Sequence, residues 1–457
     1  MADAQIESEG DCSIETASHQ DMNSSTPLMQ REISIHIPPD SLSRECCGKI
    51  PEILRMLNQE AYTPLLVSIG PIHYDHASCR EIKKQKVKYN KYFFSRVRNM
   101  EALQHNFKDF IESNSEMIFN QYPHSSLWRT KLEICEIILE DAVFILEHFL
   151  RNSSPAASPK GDDYPLNTPS FSHNIQRDLL LAENQLPLFV LEELYQRFIG
   201  HDGTPKPKDQ EHPTFRNLCL DYFSNLPICL GNQREQERAV RHNSIKHFTD
   251  LIRYLYLPAY FLYFPHESSS NNKRGQQIHS LKSATKLKKA GINFKQVNDR
   301  SLMDIRFKAR SCQPCLDFPK IIIDDLAEVI FRNIIAFEQH HYNPTQHHFS
   351  AYVRLLRDLI DTPEDVALLV DKYVLVHTLD TNEEVVTLIK KLNKGWVINS
   401  STYNEIIRAV REYCDSAWKH LKFTYFRDLW RTSSTIVGFA VFVFTTTNTV
   451  RAFVDGF

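Results

Sequence analysis

Nineteen consecutive residues, Thr432 to Val450, carry no charge, and Arg431 and Arg451 bracket them near the end of the chain. A run of this kind limits folding more than any other feature, because it leaves few places where so much uncharged surface can sit. As a helix rising 1.5 Å per residue it would reach about 28 Å, close to the thickness of a hydrocarbon core. The run therefore predicts a single transmembrane helix at 432–450, with membrane lipid as its partner. Its strongly apolar heart, Ile436 to Phe444, is short, and Thr445, Thr446, Thr447, Asn448 and Thr449 dilute its C-terminal part. Threonine can bond back to its own helix, but it lowers the drive to insert. A buried C-terminal helix or strand is the other reading these threonines allow.

Lys419, Lys422, Arg427 and Arg431 precede the run, and only Arg451 comes after it. The positive-inside bias then predicts a single-pass membrane protein with its body in the cytosol. On that topology the three sequons at Asn23, Asn152 and Asn399 stay unglycosylated. The N-terminus, MADAQIESEGDCS, is polar and acidic, without the apolar core of a secretory signal.

The remaining sequence predicts a helical globular body. At 457 residues with 42% hydrophobic and 11% aromatic side chains, the chain can bury a large core. Glycine is too scarce, at 12 residues, for nucleotide-cradling loops or turn-dense β folds. A net charge of -3 gives no general attraction to nucleic acid, so none is expected as a partner. The 10 cysteines are scattered and several sit in apolar helical patterns, which predicts buried, reduced thiols.

Residues 1–32 read as a disordered polar tail, and 33–430 as the helical body with loops near 152–172, 200–213 and 266–277. Apolar side chains recur at helical spacing from Leu132 through Cys135, Ile138, Leu139, Ala142, Val143, Leu146 and Phe149, and again over Leu326, Val329, Ile330, Ile334 and Phe337. Thr362-Pro363-Glu364-Asp365 and Thr381 with Glu384 are helix starts, and Gly395 is a helix stop. A helix opened by Thr402 and Glu405 meets no strong breaker before Arg431. Ser301 to Phe307 alternates apolar with polar and could pair with Cys315 to Phe318 as a small β-hairpin.

Several phrases in order resemble a plant family catalogued as domain of unknown function 247. They are Ile50-Pro51, AYTPLLVSIGPIHY (61–74), KKQKVKYNKYFFSR, DLLLAENQLPLFVLEELY (178–195), SATKLKKAGINFK (283–295), SLMDIRF (301–307) and RNIIAFEQ (332–339), and the chain then closes on a hydrophobic end. The resemblance implies a helical, membrane-associated plant protein of unassigned biochemistry. It also implies a recognition role, because some grass members are linked to pollen–stigma self-incompatibility. The family has no established catalytic residues to carry over. Where it often has a second histidine after GPxH, this chain has Tyr74.

Each cluster that could carry chemistry also has a structural explanation. In ENQLP (183–187), Asn184 would end one helix, Pro187 would start the next, and the polar trio would satisfy backbone groups at the break. Cys312 and Cys315 have the spacing of a zinc half-site or redox pair, but no second such pair accompanies them, so a turn with ordinary cysteines is expected. His340, His341, His347 and His348, with Glu338 nearby, could bind zinc or copper, but read as loop histidines exposed to solvent. Glu133, Glu136, Glu140, Asp141 and Glu147 read as the solvated face of one helix. Arg80, Lys84, Lys88, Lys91 and Arg98 share one helical face, read as solvated or as a site for anionic lipid. No catalytic, cofactor-binding or metal residue is assigned, and the chain is not read as an enzyme. The expected function is protein–protein interaction or recognition by an anchored protein. The rival reading is an enzyme or metal-binding protein with a site in the 312–348 Cys/His region.

Overall fold

Apolar residues at three- and four-residue spacing build the body as a stack of helices. The computed structural model describes residues 46–123, 129–153, 169–201, 212–224, 226, 233–242, 244–263, 280–309, 313–396 and 402–454. Within the last helix, side chains are described at 404–416 and 437–451. The described residues belong to one unit, Ser43–Phe457. The polar tail expected at 1–32 lies outside them, as do 154–168, 202–211 and 264–279, which make up most of the three expected loops. The first of those loops is shorter than expected at both ends: one helix runs through Ser153, and the next begins at Pro169.

The Lys131–Ser153 helix is the centre of the first half of the body. Cys135, Ile138, Ala142, Val143, Leu146 and Phe149 are buried as the periodicity predicts, while Leu132 at the edge of the stripe is exposed. The Arg80–Ser95 helix packs along it through Ile82, Tyr89 and Phe93. In the second half, the Asp325–His341 helix takes the same role, with Leu326, Ile330, Ile334 and Phe337 inside. The Pro363–Asp371 helix starts as expected, with the Thr362 N–H and Oγ1 donating to Asp365 at 3.0 and 3.2 Å. Thr381 Oγ1 accepts from Glu384 N–H at 3.3 Å, and Gly395, at φ +83°, stands just beyond the end of the Asn382–Leu392 helix.

The strand region is larger than the hairpin expected. β1 (Asn293–Val297), β2 (Arg306–Lys308) and β3 (Cys315–Pro319) form a sheet in the order β1-β3-β2. The predicted antiparallel pair is present as β2 with β3, with Phe307 opposite Leu316, but β1 joins β3 in parallel on its other side. Ser301 to Ile305 is a buried turn, because Leu302, Met303 and Ile305 all pack into the core and leave no exposed side for a strand. β4 (Ile321–Ile323) and β5 (Leu375–His377) make a separate parallel pair that the sequence did not signal.

The last helix runs unbroken from Asn404 to Val454, 51 residues, as the absence of a breaker predicted. Tyr403, Ile407, Val410 and Cys414 bury its first turns. The transmembrane reading of 432–450 does not survive: among the described residues, no helix is long and apolar enough to cross a membrane. Length is not what fails here. The unbroken apolar stretch, Ile436 to Phe444, reaches only about 13 Å at 1.5 Å per residue, against a core of about 30 Å. Beyond it, the threonine hydroxyls of Thr445, Thr446 and Thr447 bond back to the carbonyls of Val441, Phe442 and Val443. The single-pass localisation, the lipid partner through this helix and the topology drawn from its flanking charges lose their support together.

Candidate functional site

The segment Thr63 to Pro71 is apolar and largely buried, yet it forms neither helix nor strand. Its backbone N–H and C=O groups still need partners, since an unpaired buried amide costs about as much as a lost hydrogen bond. Those partners are the polar side chains between Arg177 and Gln185. Asp178, fully buried, accepts from the N–H groups of Leu65, Leu66 and Val67 at 3.0, 2.7 and 2.9 Å. Asn184 accepts from Ile69 N–H at 2.6 Å and donates to Val67 O and Asp178 O, both at 2.9 Å. Arg177 donates to the carbonyls of Glu60 and Thr63.

Two further helices close this clasp. Asp141 accepts from Gly70 N–H at 2.8 Å and pairs with Lys86, whose ammonium also donates to Ser68 O at 2.6 Å. Gly70 has φ +71°, and a Cβ there would lie 2.9 Å from Gln185 O, so glycine is required on both counts. Gln185 donates to Leu179 O and Leu181 O at 2.6 and 2.8 Å and accepts from Phe248 N–H at 3.0 Å. Asn333 ties in the second half of the body: it accepts from Ala182 N–H at 2.8 Å and donates to Ala61 O at 2.7 Å.

Burial pushes the Asp141 and Asp178 carboxyls above their ordinary values. The opposing pulls of Lys86 on one, and of the three amides on the other, do not fully offset it. Glu183 goes the other way: burial raises it, but His73 and Arg55 outweigh that and leave it below the usual carboxylate value. Its Oε1 takes Ile50 N–H at 2.6 Å together with Arg55, and its Oε2 meets His73 Nε2 at 2.9 Å. The ENQ trio thus satisfies backbone groups, as its structural reading held. Asp178 O, Leu179 O and Leu181 O lie at the helix break, as expected, but Asn184 also reaches Val67 O and Ile69 N–H, more than 110 residues away. The preceding helix ends at Leu179, and Pro187 caps the Leu188–Ile199 helix.

Beside the clasp is a cavity of about 540 Å³ whose lining includes Asn58, Glu60, Thr63, His76 and Ser78. Ser78 Oγ lies 2.8 Å from His76 Nδ1, the spacing of a nucleophile and its base. However, the hydroxyl's one proton goes to Pro64 O at 3.1 Å. His76 Nδ1 must then donate to Ser78 Oγ, the reverse of proton abstraction, so the pair braces a turn.

The other sequence candidates separate in space. His347 and His348 are buried, against expectation: His347 meets Gln339 and Tyr342 O, and His348 meets Thr402 Oγ1. His340 is exposed and His341 half-buried. Glu338 is consumed by Arg253 and by the N–H groups of Phe349 and Ser350. Cys315 is half-buried on β3, and Cys312 lies outside the described residues. Among the described residues, no three His, Cys, Asp or Glu side chains gather as metal ligands. The expected solvated acidic face is also only half right. Glu133 and Glu136 are exposed, but Asp141 and Glu147 are fully buried, Glu147 between Arg96 and Arg151. Arg80, Lys84, Lys88 and Lys91 are exposed on the Arg80–Ser95 helix, as their spacing predicted, whereas Arg98 is exposed beyond its end and does not share the face.

The two phrases joined by the clasp, AYTPLLVSIGPIHY and DLLLAENQLP, are among those on which the family resemblance rests, and the whole-chain comparison agrees. Residues 48–444 match the plant protein family of unknown function, domain of unknown function 247. The chain belongs to this family. Two relatives are known by similarly noncommittal names. A UPF0481 protein of Arabidopsis thaliana is 26% identical over 407 residues, covering 84% of this chain and 81% of its own. A putative UPF0481 protein of the same plant is 24% identical over 454 residues, covering 81% and 82%. No solved structure matches. The domain 247 match runs on past Arg431 to residue 444, so it takes in the apolar heart of the last helix as well as the body.

Sequence reasoning missed Asp178, Asp141, Lys86 and Asn333 as members of the clasp. A signal was available. TPLLVSIGP is a buried-type apolar run bounded by prolines and containing a glycine, which suits neither helix nor strand. Its amides then require side-chain acceptors from elsewhere in the chain.

Proposed function

We propose that this chain acts by protein–protein interaction, with its helical body as a rigid support and the end of its last helix as the binding element. The observation that carries this reading is the surface of Val437 to Arg451. Every residue there is exposed, including Phe439 at 70%, Phe442 at 63% and Phe444 at 69%. Large contiguous apolar patches on a folded chain mark places where something else packs. Val437, Phe439, Val441, Phe442 and Phe444 point to all sides of the helix, so a flat surface would cover only part of them. The partner that fits is a protein with an apolar groove, which takes the helix as other grooves take amphipathic anchors. The polar groups of the clasp support the same division of labour, because Asp178, Asn184 and Asp141 are already occupied by the body's own backbone.

The test is proximity labelling in plant cells with the full chain, a version ending at Phe426, and Phe439→Glu/Phe442→Glu. The proposal expects a specific set of neighbours with the full chain that is lost in both altered forms while the body stays folded. The same neighbours in all three would remove the helix end as the binding element.

A further inference from the structure

Cys46 and Cys47 are adjacent in sequence, 3% and 0% exposed, and their sulfurs lie 3.5 Å apart. The backbone brings them together. Both N–H groups donate to the single carbonyl of Gln121, at 3.0 and 2.9 Å, which folds the pair into a tight turn with both thiols on the core side. His247 Nε2 donates to Cys46 O at 3.1 Å, while its Nδ1 accepts from Asp250 N–H, so the ring is fixed in one tautomer. Just beyond, Gly48 packs against His340 and His341, where a Cβ would meet ring atoms at 3.0 to 3.1 Å. Ile50 N–H then reaches Glu183. Residues 46–50 thus form a latch from Gln121, just after the Ser115–Phe119 helix, to Glu183 beside the clasp.

We infer that Cys46 and Cys47 form a modifiable vicinal dithiol, oxidised by a peroxide to a disulfide that opens this latch. One thiolate attacks a peroxide oxygen, the O–O bond breaks, and a sulfenic acid forms as the other oxygen leaves as water. The second thiolate then attacks the sulfenyl sulfur, the S–O bond breaks, and a second water leaves. In all, the two thiols lose two protons and two electrons, and one peroxide becomes two waters.

A disulfide needs its sulfurs about 2 Å apart, and the two sulfurs already lie within 3.5 Å of each other. The resulting ring has only eight members and twists the Cys46–Cys47 peptide away from its ordinary planar trans geometry. Both N–H groups then no longer point at one carbonyl, and the Gln121 bonds break. In the closed latch, burial and the neighbouring thiol push Cys47 well above the usual thiol range, and burial keeps peroxide away from both sulfurs. Reaction therefore proceeds from the locally opened segment, and the disulfide prevents it from closing again.

Trypsin releases both cysteines, with no other, in the peptide Glu45–Lys49. The purified full chain is treated with hydrogen peroxide, denatured, alkylated and digested. The inference expects this peptide to be two hydrogens lighter, free of alkyl groups and restored by dithiothreitol. It also expects faster hydrogen exchange at Cys46, Cys47 and Ile50 in the oxidised chain. Cys47→Ser and Cys46→Ser should each abolish the mass change, so either serves if the other folds poorly. Two alkylated thiols after peroxide, or a linked pair with unchanged exchange at Ile50, would overturn it.

Discussion

The clasp and the end of the long helix handle polarity in opposite ways. Around residues 63–71, buried backbone is irregular, and Asp178, Asn184, Asp141 and Lys86 are spent on satisfying it. From Val437 to Val450 the backbone is regular and satisfies itself, so the side chains are free to face outward, and they are largely apolar. The comparison shows that polar residues in a shared family phrase can serve the fold alone. Residues available to a partner then lie where the backbone needs no help. Each part of that contrast can be strained by substitution.

The largest effects should come from the buried charges. Asp178→Ala orphans three amides and leaves Arg177 without its carboxylate, and should cost about 3–5 kcal/mol in urea denaturation. Asp141→Ala strands the Lys86 ammonium in the core and should cost a similar amount. Removing both charges, as in Lys86→Met/Asp141→Leu, should recover a large part of that loss. If the double variant is no better than the single, the pair does more than neutralise itself.

Acid should loosen the same body through its neutral histidines. Burial lowers His148 and His247 to about 4, with Arg151 adding to the effect on His148. Their folded values lie below the unfolded value near 6.5, so the unfolded chain takes up protons first. Their contribution is complete above pH 6.5 and lost as pH falls toward 4, up to about 3 kcal/mol for each ring. The raised carboxyls of Asp141 and Asp178 act with the opposite sign, so the histidine part is read from the difference between wild type and His148→Phe. That variant should have a shallower fall in stability between pH 6.5 and 4; an unchanged slope would mean that His148 is not held neutral.

Gly70→Ala should cost about 1–2 kcal/mol from its positive φ, and more if Gln185 O cannot retreat from the new methyl group. Phe442→Glu at the helix end should change body stability by no more than about 0.5 kcal/mol, because that side chain is exposed. A loss as large as that of Asp178→Ala would mean the helix end packs on the body, and the contrast between the two regions would fail.

The regular elements could be read from the sequence wherever one residue's neighbours decide its state. The Lys131–Ser153 stripe, the Thr362 and Thr381 starts and the unbroken last helix all reflect local spacing. Features decided by distant partners could not be read. Asp141 and Glu147 looked like solvated acids because their cations, Lys86, Arg96 and Arg151, are partly on another helix. His347 and His348 looked like loop residues because the groups that enclose them include Thr402, 54 positions away from His348. The ENQ trio was recognised as structural, but its long-range targets at Val67 and Ile69 were not. The membrane reading failed for a local reason that was visible in the sequence: the apolar stretch is too short, and five polar residues stand directly after it.

The claim that the shared phrases form a structural clasp is tested most directly by native-state hydrogen exchange at Leu65, Leu66, Val67, Ile69 and Gly70. These amides lie in no helix or strand, so ordinary loop behaviour would let them exchange readily. The account predicts that in wild type they exchange as slowly as the core of the Lys131–Ser153 helix. In Asn184→Ala, Ile69 should lose most of its protection while that helix keeps its own. Fast exchange at all five amides in wild type, or protection at Ile69 unchanged by Asn184→Ala, would contradict it.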